Sequence, residues 1–403
     1  MQAVYAHYNA IIAHRRFFWC AMLLVSLVVL SGCGQNGGET GGSGTATTTI
    51  ASVTTGPSGK PVLLQKIHMF NVSAGWAVTY NPFNASRILR TTTGVTHWQD
   101  VTPSIAGQNA IIGGTDFFDA LTAWVAVAVN QDVFVYRTRD GGQSWQKTKL
   151  PDQSIAPGQL FFLNARLGWM LAGKGAAMGS EAVDVLQTGD GGASWKIIAV
   201  SNNDTVNNPT AIPFGGDKSG LSFVNATTGW ITGSTPADNF VWLYVTHDAG
   251  ATWQHQTLPL PPQTFQVATF PPIFFNATDG VLPVIIPGPK RQNTVIYITH
   301  DAGASWQATT SVPASAFADT IDFINIMHGW IADNTFDASS NQYTNSTLYS
   351  TSDGGNHWTH YVVKPGSGII MLDFVSPTQG WAIDSSQMLY QTTDGGQNWM
   401  KVL

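Results

Sequence analysis

Six aspartates recur in one setting. Asp140 stands in TRDGGQSW (138–145), Asp190 in TGDGGASW (188–195) and Asp248 in THDAGATW (246–253). Asp301 stands in THDAGASW (299–306), Asp353 in TSDGGNHW (351–358) and Asp394 in TTDGGQNW (392–399). Carboxylates in matched settings could serve acid–base catalysis or hold a hard cation. Each octet offers only one carboxylate, whereas calcium takes about six to eight oxygens. The neighbours point elsewhere. Asp bonds backbone N–H groups in tight turns, Gly allows positive φ, and Trp buries a large apolar surface. The octet therefore reads as a structural turn. Its fixed points are the six aspartates and Trp145, Trp195, Trp253, Trp306, Trp358 and Trp399.

A seventh, weaker copy is TTTGVTHW (91–98), with Thr93 in place of Asp. A second motif precedes each octet: FNVSAGW (70–76), FDALTAW (118–124), FLNARLGW (162–169), FVNATTGW (223–230), FNATDGV (275–281), FINIMHGW (323–330) and FVSPTQGW (374–381). Five residues before its last position stand Asn71, Asp119, Asn164, Asn225, Asn276, Asn325 and Ser376. All seven are side chains that bond their own backbone in turns. Around the paired motifs lie short strand-like runs, four per unit. The last unit reads IIMLDFV, GWAID, MLYQTT and NWMKVL. Four strands repeated about every 50 residues are a propeller blade signature. The expected fold is all-β: a seven-bladed β-propeller over 62–403, four antiparallel strands per blade, the octet turning between the third and fourth.

Composition agrees. The chain has 403 residues, 43% hydrophobic and only 10% charged, with 41 Gly and, among 24 acidic residues, only two Glu, Glu39 and Glu181. Glu favours helices, while Gly, Thr, Asn and Asp favour turns and strands.

The first 61 residues differ. His14, Arg15 and Arg16 precede the apolar run FFWCAMLLVSLVVL (17–30), then Leu-Ser-Gly-Cys (30–33). A basic region, a short apolar run and small residues make a signal peptide, 1–32. The run is short for a spanning helix, which needs about 20 residues, although an uncleaved anchor is the alternative. Leu-Ser-Gly-Cys resembles a bacterial lipobox, which implies cleavage before Cys33 and lipidation of Cys33. The protein would then be extracytoplasmic and lipid-anchored to the bacterial cell membrane. Residues 33–61 are rich in Gly, Ser and Thr and read as a flexible tether. Cys20 and Cys33 are the only cysteines, so the mature chain could form no internal disulfide. Sixteen Lys and Arg would remain against 24 acids, a net charge of −8. An acidic chain is a poor partner for nucleic acid.

The octet T-x-D-[GA]-G-x-x-W resembles the Asp-box (BNR) repeat of sialidase-like propellers, in which the box is structural. The seventh unit, GWAIDSSQMLYQTTDGGQNW (380–399), resembles the photosystem II stability/assembly factor family most. That resemblance implies a seven-bladed, non-enzymatic propeller acting as a binding or assembly scaffold. It does not carry a photosystem partner over to this chain, whose arginines read as few and scattered.

Two turns per blade occupy one face, leaving the second-to-third loops and the blade links for the other. Those stretches are long: 80–86, 173–182, 201–220, 259–272, 287–293 and 334–346. Binding usually lives in variable loops on a rigid scaffold. The candidate binding residues are Phe83, Lys174, Phe214, Phe265, Lys290, Arg291, Phe336 and Tyr343, facing a protein or a glycan. The chain is expected to act as a monomer, with no catalytic residues, metal or cofactor. The alternative is a glycoside hydrolase, sialidase-like or xyloglucanase-like, using carboxylates on the long-loop face.

Overall fold

The computed structural model describes residues 45–47, 51–53, 62–80, 86–105, 110–130, 132–152, 155–177, 179–235, 240–260, 266–287, 292–337, 339 and 342–402. Seven four-stranded antiparallel units follow one another. Blade 1 holds Leu64–Met69, Gly75–Thr79, Ile88–Thr91 and Trp98–Asp100. Blade 2 holds Ala110–Phe117, Ala123–Val129, Asp132–Thr138 and Ser144–Lys149. Blade 3 holds Gln159–Phe162, Gly168–Ala177, Ser180–Thr188 and Lys196–Ser201. Blade 4 holds Asp217–Phe223, Gly229–Ser234, Leu243–Thr246 and Gln254–His255. Blade 5 holds Ile273–Phe274, Gly280–Pro287, Gln292–Thr299 and Gln307–Ala308. Blade 6 holds Ile321–Phe323, Gly329–Asp337, Gln342–Thr351 and Thr359–Ser367. Blade 7 holds Ile369–Phe374, Gly380–Asp384, Leu389–Thr392 and Met400–Lys401.

Packing closes the ring. Seven apolar clusters each join two neighbouring blades among the described residues, 1 to 2 through 6 to 7, and then 7 back to 1. The last unites Ile67, Met69 and Leu89 with Met371, Trp381 and Ile383. Among the described residues no strand is exchanged at this seam. Instead Leu64 N–H donates to Gln387 O at 3.0 Å, and Met69 N–H to the Asp373 carboxylate at 2.6 Å.

The two sequence motifs meet at the blade borders. The Trp of the Gly-Trp motif lies flat on the motif Phe of the next blade: Trp124 on Phe162 at 3.6 Å, Trp169 on Phe223 at 3.7 Å, Trp330 on Phe374 at 3.8 Å. The same Phe meets its own blade's octet Trp nearly edge-on, as with Phe162–Trp195 and Phe374–Trp399. The motif indole N–H then donates to a carbonyl in the next blade's turns, for Trp76 to Asp119 O of the short turn at 2.9 Å and for Trp124, Trp169 and Trp330 to the octet. Trp124 reaches Gly191 O at 2.8 Å, Trp169 reaches Ala249 O at 2.8 Å, and Trp330 reaches Gly395 O at 3.0 Å. Gln256 relays the contact from Trp230 to Gly303 O.

Within each blade the two turns dock on one another. The octet residue after Asp donates its N–H to the other turn in every blade. Gly141 reaches Leu121 O, Gly191 reaches Arg166 O, Ala302 reaches Thr278 O, and Gly395 reaches Thr378 O. Blade 1 keeps the contact with Gly94 on Ser73 O, although its octet lacks Asp. The two residues after Asp are left-handed, with φ of 72° and 86° at Gly141 and Gly142. Ala249 and Ala302 adopt the same conformation, at 65° and 58°, which costs an L-residue about 1–2 kcal/mol.

The tether differs from expectation over two short pieces. Thr45–Thr47 pairs with Ser144–Gln146 of blade 2, and Ala51–Val53 with Trp98–Asp100 of blade 1. Outer strands offer unpaired N–H and C=O groups, and short Thr, Ala and Val segments suit a strand added there. The loops at 173–182 and 334–346 also differ. They are largely hairpin extensions of the blade 3 and blade 6 strands, each carrying a register shift.

Trp124→Ala should cost about 3–5 kcal/mol in a chemical denaturation, because a buried indole and its inter-blade stack are both lost. Ala302→Gly should go the other way, raising stability by about 1 kcal/mol or slightly less, since left-handed strain outweighs the added chain entropy.

Candidate functional site

The octet carboxylates are bound within their own turns. Asp140 Oδ1 accepts from Thr138 Oγ1 at 2.8 Å and Ser144 N at 2.9 Å, and Oδ2 accepts from Ser144 Oγ at 2.5 Å. The same pattern repeats at Asp190, Asp248 and Asp301 with Ser194, Thr252 and Ser305. At Asp353 His357 is the donor, and at Asp394 it is Asn398. Hydrogen bonds from Ser305 hold the Asp301 carboxyl down at about 2, and those from His357 do the same at Asp353. Asn71, Asp119, Asn164, Asn225, Asn276, Asn325 and Ser376 each accept two backbone N–H groups from the residues two and three positions on. None of these groups joins another blade's copy in one site. Among the described residues no three His, Cys, Asp or Glu side chains are grouped to hold a metal ion.

The long-loop candidates fall into three groups. Cys33, Phe83, Phe265, Lys290 and Arg291 lie outside the described residues. Lys174 is ion-paired with Asp152 at 2.8 Å and with buried Asp184 at 3.3 Å. Phe214 is half-buried, and its carbonyl accepts from Lys218 Nζ at 2.9 Å. Phe336 and Tyr343 do come together. They oppose each other across the blade 6 hairpin with ring centres 5.4 Å apart. Phe317, from the blade 5–6 link, meets Tyr343 at 6.2 Å. The result is a half-buried aromatic ledge of three rings.

Several charged residues acquire roles that their spacing did not signal. Lys218 is buried, its ammonium capped by the carbonyls of Glu181, Phe214 and Gly216 and set over the Trp242 ring. Burial lowers its pKa to about 8, against the pull of Glu181 and Asp217. The arginines are less scattered than they read. Arg90 donates to Ala120 O of blade 2, and Arg137 to the carbonyls of Asp190 and Gly191 of blade 3. Both side chains tie blades together.

Three further acids stand on the inner strands, Asp322 and Asp373 one residue before the motif Phe and Asp116 one residue before Phe117, which takes that position in blade 2. Each accepts a backbone N–H from the next blade: Asp116 from Phe162, Asp322 from Phe374, and Asp373 from Met69. His68 Nδ1 lies 3.4 Å from Asp373. Enclosure pushes Asp116 up to about 6, against the Phe162 N–H. Enclosure and then the nearby Asp373 push Asp322 up to about 7. On the other side of the ring, the inner strands of blades 3–5 border an open cleft of about 510 Å³. Its lining includes Gln159, Phe161, Leu221, Ser222, Pro271, Ile273, Phe275 and Asn276, with no titratable side chain.

No protein-family model and no curated protein sequence matches the chain. Solved structures do match its fold, a β-propeller. The structure described as YCF48 bound to D1 peptide superposes with a TM-score of 0.53 at 14% identity, over 86% of this chain and 96% of that one. A GH74 xyloglucanase from Xanthomonas campestris gives 0.50 at 15% identity, over 85% of this chain but only 54% of its own. An oligogalacturonate lyase from Vibrio parahaemolyticus gives 0.56 at 7% identity, over 88% and 98%. At such identities the likeness is one of fold alone. Enzymes stand among the similar structures, so the fold does not choose between binding and catalysis.

Opposite acid groups give opposite pH slopes. Asp301 and Asp353 titrate below their unfolded values, so their stabilisation is complete above about pH 4 and lost as pH falls toward about 2. Asp322 titrates above its unfolded value, so stability declines as pH rises from about 4 through about 7. Melting curves from pH 3 to 8 should show Asp322→Asn gaining on the parent between pH 4 and 7 and holding that gain above. A pH-independent difference would exclude this account of Asp322.

Proposed function

We propose that the protein is a non-catalytic binding scaffold outside the cytoplasm, anchored to the bacterial membrane by lipid on Cys33. It holds a protein or glycan partner on its long-loop face. One observation carries the reading: the cleft that the inner strands border is lined by apolar and amide groups and one hydroxyl, Ser222, with no acid, base or cysteine. The fold likeness to YCF48, solved with a D1 peptide, is consistent with a binding role. The aromatic ledge of Phe317, Phe336 and Tyr343 is the described surface best suited to a partner, since rigid rings give contact area at low entropic cost.

Hydrolysis is the second reading. Its one favourable feature is the raised carboxyl of Asp322 beside Asp373, a combination that can mark an acid–base pair. Against it, both carboxylates already accept a backbone N–H from the next blade.

Affinity capture from the native membrane tests the first reading, with Phe336→Ala/Tyr343→Ala as the control. A stoichiometric envelope protein or polysaccharide retained by the parent and lost from the control is the expected outcome. Release of sugar from polysaccharide by the parent, abolished in Asp322→Asn with no fall in melting temperature, would replace the scaffold reading with hydrolysis.

A further inference from the structure

The short turns differ around the ring in a way their shared backbone does not require. At the two positions after the turn Asn, blades 3, 4 and 5 carry Ala165-Arg166, Ala226-Thr227 and Ala277-Thr278. Blade 6 carries Ile326-Met327, and blade 1 carries Val72 at the first position. Blade 2 carries Leu121 at the second, with Phe118 entering its turn. Val72 is 51% exposed, Leu121 49%, Met327 46% and Phe118 38%. The arc running from blade 6 through blades 7 and 1 to blade 2 therefore carries four exposed large apolar side chains at turn tips, blade 7 contributing Pro377-Thr378, where Ala with Arg or Thr serves the same turn in blades 3–5. Side chains at an apolar turn tip add nothing to the turn itself and expose surface that water disfavours.

The tether meets the ring on the same arc. Thr45–Thr47 pairs with Ser144–Gln146, at the end of the octet of blade 2, and Ala51–Val53 with Trp98–Asp100, at the end of the weak octet of blade 1. Both registers lie at the short-turn ends of the outer strands. From Cys33 to Thr45 there are 12 residues, a reach of at most about 40 Å. With Cys33 in a bilayer, the short-turn edge of blades 1 and 2 is held near the lipid surface, at an effective concentration that makes a weak contact count.

We propose that the short-turn face of the arc from blade 6 through blades 7 and 1 to blade 2 rests on the bilayer that holds the Cys33 lipid. Its apolar tips enter the interface, and the long-loop face is turned toward the partner. The proposal rests on the lipid anchor of the preceding section. Apolar burial supplies the contact, because the net charge of −8 left after cleavage gives no general attraction to an anionic surface.

Cys33 is the single cysteine of residues 33–403, so that chain can be coupled through its thiol to a maleimide lipid in vesicles of phosphatidylcholine and phosphatidylglycerol. Hydrogen–deuterium exchange is then compared with uncoupled protein. Slower exchange in peptides covering 70–76 and 118–124, with 201–220 unchanged, is the expected result. Val72→Asp/Leu121→Asp should abolish that protection while leaving the melting temperature in place. Protection on the long-loop peptides instead, or no difference on coupling, overturns the proposal. Chemical coupling separates this outcome from the anchor itself, which is read independently by the mass of the N-terminal peptide from the native protein.

Discussion

A flat stack of one indole on one phenyl ring, repeated around a circle, is what the rest of this molecule depends on. A four-stranded sheet cannot bury both faces alone, so each blade must cover its neighbour. A motif Trp such as Trp124 does this twice over. Its face covers the next blade's Phe, and its N–H satisfies a carbonyl in the next blade's octet turn. That carbonyl is in place only because the octet holds a fixed shape, and the shape depends on Asp and two left-handed residues. The octet is thus the socket of an inter-blade joint, which explains why Asp, Gly and Trp return together.

The exceptions support the same logic. Blade 5 has Val281 where the others have Trp or its equivalent contact, and the border to Phe323 is filled by aliphatic packing from Ile285, Ile296 and Ile331. The seam from blade 7 to blade 1 departs most. Met69 replaces Phe, the octet of blade 1 lacks Asp, and the Trp381 indole N–H finds no partner among the described residues. The seam is held instead by the Asp373 carboxylate on Met69 N–H, with His68 beside it and a backbone bond from Leu64. A charge-assisted bond there contributes what the aromatic joint supplies elsewhere.

Much of this was legible in the sequence. Turn chemistry is local, so Asn71, Asp119 and their counterparts could be placed by type and spacing alone, and seven such positions implied seven blades. What escaped detection depends on contacts between blades. Asp116, Asp322 and Asp373 occupy the position before the inner-strand Phe in only three blades, and their partners lie some 46–304 residues away. No local pattern encodes that. Nothing near Lys218 in the sequence signals burial, because the three carbonyls that close over it come from Glu181, Phe214 and Gly216. Phe336 and Tyr343 were legible as aromatic residues of one loop, but not as cross-strand partners, because the hairpin register that opposes them includes a shift.

The division of labour between side chains bears on function. A carboxylate that accepts three hydrogen bonds in a turn, or one from the next blade's backbone, cannot reorient toward a substrate without opening the structure it holds. Most of the acidic groups that first suggested chemistry are committed in this way, in the octets and on the inner strands. Among the described side chains not so committed are apolar, amide and hydroxyl groups: the cleft beside blades 3–5, the ledge of blade 6, and the apolar turn tips of blades 6, 1 and 2. Such groups gain free energy by excluding water against a partner surface rather than by moving protons.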